Sequence, residues 1–143
     1  MNPSAISQQR PPIRLLAAES DMVAALALHV EERQPVVAAM LLEEIERAEL
    51  HDPDTMPEGH ARLDSTVTYI DEKTREARDV RLVLPAAANI SEGRISILTP
   101  MGAALYGLAE GHSIDWPDLQ GNVRRIRISR VVQSDDPRTE ESQ

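Results

Sequence analysis

The chain has 143 residues, 41% of them apolar and 27% charged, which is enough for one domain with an appendage and one buried core. Only Tyr69, Tyr106 and Trp116 are aromatic, so base-stacking platforms and ring-lined pockets are excluded. A net charge of −9 disfavours a grip on phosphate backbones, and the absence of cysteine excludes disulfides and Cys-ligated zinc.

The first 12 residues are polar, end in Pro11 and Pro12, and read as a disordered or extended tail with no signal-type apolar segment. Ser20 is placed to N-cap a helix starting at Asp21, whose charge suits the positive end of the helix dipole. Met22, Leu26 and Val30 then recur at helical spacing, with Val23 beside them. Pro35 suits the first position of a second helix, striped by Val37, Leu41, Ile45 and Ala48, with Glu43 and Arg47 spaced to pair. Two short helices joined by so few residues must double back as a hairpin. Residues 19–50 carry a net −6, so most of the acidity lies here.

Residues 51–60 (HDPDTMPEGH) form a linker rich in proline and aspartate. His51, Asp52 and Asp54 have metal-ligand chemistry, but a solvated linker explains them more simply. The period then switches to alternation. Strands are expected at residues 65–70, 80–84, 94–98, 113–116 and 123–132. One short helix over 101–108 interrupts them, with Thr99 as N-cap and Pro100 as its first residue. The last ten residues are charged and contain Pro137, a second disordered tail.

No P-loop, dinucleotide fingerprint, zincin helix or nucleophile elbow is present. Arg124, Arg125, Arg127 and Arg130 form one basic cluster, but a strand divides them between its faces. Glu31 and Glu32 are adjacent carboxylates at the hairpin turn, positioned to meet a basic surface or simply to be solvated. No apolar run approaches the ~20 residues of a membrane span, and a cytoplasmic location is expected.

The stretch 94–116 (RISILTPMGAALYGLAEGHSIDW) resembles the C-terminal signature of the Gre-factor superfamily. Its parts are Thr99-Pro100-Met101-Gly102, then Ala104-Leu105-Tyr106-Gly107-Leu108, then Gly111-His112. His112 stands where that family usually has aspartate. The upstream LLEEIERAEL (41–50), followed by Asp64-Ser-Thr-Val-Thr, is similar to that family in order and spacing, and the short hairpin, the MPEG linker and Trp116 are most similar to the branch called regulator of nucleoside diphosphate kinase. The resemblance spans residues 13–132.

The resemblance implies an α+β fold: a short N-terminal antiparallel helical hairpin, or coiled coil, before an FKBP-like antiparallel β domain with one helix. The expected division is a tail over 1–18, the hairpin over 19–50, a linker over 51–63, the domain over 64–132 and an acidic tail over 133–143. The implied partner is bacterial RNA polymerase, met at its secondary channel. Docking is expected through Thr99, Pro100, Met101, Gly102 and Leu105, with Glu31 and Glu32 at the hairpin tip. The short hairpin argues for a noncatalytic regulator, with no metal or other cofactor, that competes with Gre-type cleavage factors. No direct sequence-specific nucleic-acid binding is expected. Two alternatives stay open: a Gre-like cleavage factor, or an interaction module that acts on nucleoside diphosphate kinase levels without touching polymerase. Prolyl isomerisation, known among FKBP folds, is disfavoured because its pocket needs several rings.

Overall fold

Ile13 and Leu15 alternate with Arg14 and Leu16, and that alternation is enough to make a strand with one buried side. The computed structural model, which describes residues 11–117 and 123–133, has β1 at Arg14–Leu16. It pairs in parallel with β2 (Glu49–His51), and the Glu49 N–H donates to the Ile13 carbonyl at 3.0 Å. Within the stretch 1–18 expected as a tail, residues 13–16 are therefore packed, because burying Ile13 and Leu15 outweighs the cost of ordering four residues. Residues 1–10, 118–122 and 134–143, where the tails and one turn were expected, lie outside the described residues.

The first helix, α1 (Ala17–His29), starts earlier than the capping pattern suggests. Leu16 occupies the cap position, and Ser20 sits inside the first turn with its Oγ donating to the Ala17 carbonyl at 2.8 Å. Its buried side is Ser20, Val23 and Ala27 rather than Met22 and Leu26. The second helix, α2 (Pro35–Arg47), follows a turn over 30–34 and buries Val37, Ala38, Leu41 and Glu44. Glu44 is held by Arg47, whose Nε donates to its Oε1 at 2.8 Å.

Five strands form the main sheet: β3 (Ser65–Asp71), β4 (Ala77–Val83), β5 (Arg94–Ser96), β6 (Ser113–Pro117) and β7 (Val123–Gln133). Their order is β5-β4-β3-β7-β6. Three of the pairings are antiparallel, but β4 and β5 run parallel, so the expected antiparallel sheet is in fact mixed. The ten residues between β4 and β5, which include two 3₁₀ turns, carry the chain back to start β5 beside β4. The third helix, α3 (Pro100–Leu105), ends three residues sooner than expected. Gly107 stops it with a φ of +87°, the left-handed conformation that glycine adopts without strain.

One core joins these parts. Val23, Ala27 and Leu41 of the two helices belong to the same buried cluster as Val67, Leu82 and Ile128 of the sheet. The end of the expected linker also docks: the Ala61 N–H donates to the Leu108 carbonyl, and the Gly107 N–H donates back to the Ala61 carbonyl, both at 2.8 Å.

Candidate functional site

The turn at 99–102 is built by local hydrogen bonds. Thr99 Oγ1 donates to the Ser96 carbonyl at 2.8 Å and accepts the Gly102 N–H at 3.0 Å. This is the N-cap that the sequence predicts, with Pro100 next to it as the first helical residue. Gly102 lies directly against the preceding strand; a Cβ there would sit 2.2 Å from the Ser96 carbonyl oxygen. Glycine is required by close approach.

The five residues expected to meet a partner therefore divide. Pro100 is exposed, and Thr99 and Met101 are half-buried, so these three form a surface. Leu105 is 0% exposed and Gly102 is also buried. Leu105 thus cannot touch a docked partner: on a helix this short it lies on the side facing the core, and it supports the turn from inside.

Behind the turn lies an arrangement that the sequence did not suggest. The Tyr106 hydroxyl donates to Glu19 Oε1 of α1 at 3.1 Å, and the Leu63 N–H donates to the same oxygen at 3.1 Å. Burial raises the Glu19 carboxyl above its usual range, although both hydrogen bonds pull it down. The Tyr106 hydroxyl is itself pushed far up by burial and by the neighbouring carboxylate. One carboxylate oxygen thus ties α1 to the segment before β3 and to the end of α3.

Glu31 and Glu32 are both exposed in the turn between α1 and α2. They lie on the hairpin, away in sequence from the 99–101 surface. The basic cluster of β7 is largely neutralised by carboxylates. Arg124 pairs with Asp71, and Arg125 reaches Asp115 at 3.0 Å and Glu72 at 3.5 Å. Arg127 reaches Glu72 at 3.5 Å. At the turn carrying His112, its Nδ1 accepts the Ala109 N–H at 3.0 Å, so the imidazole does the work of a turn-closing carboxylate. Burial, then the neighbouring His60, lower its pKa. Among the described residues no group of three or more His, Asp or Glu is disposed to hold a metal, His51 with Asp52 and Asp54 included. No helix among them is long and apolar enough to cross a membrane.

The family described as "Transcription elongation factor, GreA/GreB, C-term" matches residues 56–133, more than half of the chain. The chain belongs to this GreA/GreB family. It is 37% identical over 87 residues to the "Regulator of nucleoside diphosphate kinase" of Escherichia coli K12, covering 61% of this chain and 63% of that protein. It is 34% identical over 91 residues to the "Transcription elongation factor GreA" of Syntrophobacter fumaroxidans, covering 64% of this chain and 58% of the relative. The matches thus span about three-fifths of these relatives' length. Among solved structures, a GreA/GreB elongation factor from Nitrosomonas europaea superimposes with a TM-score of 0.71 at 34% identity. That match covers 86% of this chain and 99% of the other. The two helices followed by a mixed sheet are the architecture shared with that structure.

Proposed function

We propose that this GreA/GreB family member is a noncatalytic transcription regulator that binds bacterial RNA polymerase at its secondary channel, in the cytoplasm, and competes there with Gre-type cleavage factors. In this reading residues 64–132 are an FKBP-like docking domain and residues 19–50 a short coiled coil. Thr99, Pro100 and Met101 make the docking contact, while Gly102 and Leu105 hold their shape. Glu31 and Glu32 face the basic lining of the channel.

The observation that carries this reading is the rigid presentation of Pro100. It projects from a turn closed on both sides by Thr99 Oγ1, within the segment matched by the family. A preformed turn loses little entropy on docking. The noncatalytic part is supported by reach: α1 and α2 have 13 residues each, so the helices are only about 20 Å long, and their inner sides are packed in the core shared with the sheet. Tyr106, fully buried and bonded to Glu19, walls no open isomerase pocket.

The test is a pull-down with core polymerase at low salt. Pro100→Ala combined with Met101→Glu should weaken capture at least about tenfold in protein that circular dichroism shows to be folded, with Pro100→Ala alone as the control for the half-buried Met101. Leu105→Ala should instead destabilise the fold by about 2–5 kcal/mol, as large-to-small changes in a sealed core do. No capture of the wild-type chain would overturn the reading.

A further inference from the structure

α1 is apolar on two sides, and only one of them is covered. Val23 and Ala27 fill the core, while Ala18, Met22, Ala25 and Leu28 line the opposite, solvent side. Met22 is 47% exposed and Leu28 57%. A helix with apolar residues all round belongs in an interior, so the outer strip is a surface awaiting cover. Val36, 70% exposed on the first turn of α2, adds to the apolar surface near the turn. The exposed charge around this strip is mainly acidic, Asp21, Glu31 and Glu32 against Arg33, with His29 at its C-terminal end.

We infer that the outer face of α1 is a docking strip for a basic amphipathic segment of a partner protein. The strip runs from Ala18 to Leu28, eleven residues and about 15 Å along the helix, which matches some three turns of a partner helix laid beside it. Apolar anchors from that helix would cover Met22 and Leu28, while flanking lysines or arginines meet Asp21 and Glu32. The same charge argues against the other occupants. A second copy would bring its own net −6 over residues 19–50 to the contact, and nucleic acids or anionic lipid surfaces would be repelled. The inference does not depend on polymerase being the partner.

The test uses the full chain and a synthetic amphipathic helix of leucine and lysine, fluorescently labelled, with a leucine–glutamate helix as its counterpart. Wild-type protein should bind the lysine peptide, less tightly as salt rises, and ignore the glutamate peptide. Met22→Gln with Leu28→Gln, both good helix formers at exposed sites, should weaken binding about tenfold. Ile90→Gln, a still more exposed apolar site elsewhere, should leave it unchanged. Asp21→Lys with Glu32→Lys should reverse the preference toward the glutamate peptide. Equal binding by the Met22/Leu28 double variant would overturn the proposal. So would binding that appears only after residues 1–10 are deleted, or a wild-type dimer that the double variant abolishes. Because Pro100→Ala with Met101→Glu leaves this face intact, peptide binding and polymerase capture fail independently.

Discussion

Glu19 of α1 accepts the hydroxyl hydrogen of Tyr106, 87 residues later in the chain, at 3.1 Å. The contact joins the base of the hairpin to the end of α3, and so to the turn that presents Pro100. Burial raises the Glu19 carboxyl above its usual 4.5 despite the bonds from Leu63 and Tyr106. A raised folded-state pKa means the folded chain holds this proton more tightly than the unfolded chain. The associated stability is complete below 4.5 and is lost as pH rises through the raised value. Glu19→Gln keeps an oxygen to accept both bonds and carries no charge. In denaturant melts its stability relative to wild type should therefore climb between pH 4.5 and neutrality. Glu19→Ala leaves two donors without their acceptor and should cost about 1–3 kcal/mol. A wild type that gains on Glu19→Gln as pH rises would contradict this account.

Asp71 gives the opposite slope. Burial alone would raise its carboxyl, but the N–H groups of Lys73 and Thr74 and the Arg124 guanidinium together hold it below its usual 3.8. A lowered folded-state pKa contributes stability above 3.8 that is lost as pH falls through the lowered value. Acid unfolding followed by circular dichroism should show it. Asp71→Asn should be less stable than wild type at pH 6, and the gap should close as both are acidified below 3.8.

What the sequence disclosed, and what it hid, follows from the range of the interactions. Alternation in Ser65–Asp71 and the Thr99–Pro100 cap are local signals, and both elements stand where the residues place them. α1 misleads because apolar residues occur all round it, so the larger side chains of Met22 and Leu26 suggest a stripe while Val23 and Ala27, with polar Ser20, are the ones buried. Only the position of the sheet decides between them. β1 pairs with a strand 35 residues away in parallel, a contact with no turn to announce it. The buried state of Leu105 is hidden for a related reason: a six-residue helix is too short for its periodicity to fix an inner face. Of the expected partner surface, Pro100 and the tip glutamates were legible as exposed, and the Glu19–Tyr106 bond behind them was not.

Glycines at two sites should rank by what a methyl group meets. At Gly102 it would lie 2.2 Å from the Ser96 carbonyl oxygen and 3.0 Å from the Ile97 Cα, both backbone atoms with nowhere to go. At Gly111 it would meet nothing, leaving only the strain of a φ of +89°. Gly111→Ala should cost about 1 kcal/mol. Gly102→Ala should cost more, at or beyond the upper end of the ~1–3 kcal/mol typical of overpacking. Thermal melts of the two variants check the order, and a Gly102→Ala protein as stable as Gly111→Ala would contradict the packing of α3 on β5.

The hairpin tip offers a last discriminating measurement. Glu31 and Glu32 are adjacent in the turn, exposed, and at the end of helices about 20 Å long. If they act by charge alone, their effect is electrostatic steering, which decays over a Debye length of about 8–10 Å near physiological salt. Glu31→Lys with Glu32→Lys should then weaken polymerase capture at low salt by several-fold and much less at high salt, while Glu31→Asp with Glu32→Asp changes little. If they instead held a catalytic metal, charge-conserving changes that shorten the side chains would matter as much as reversal. Stalled elongation complexes separate the two cases. The wild-type chain should leave the transcript at its original length with Mg²⁺ present, and should protect it from shortening by an added cleavage factor. Transcript shortening by the wild-type chain that Glu31→Asp with Glu32→Asp abolishes would place chemistry at the tip and overturn the steering account.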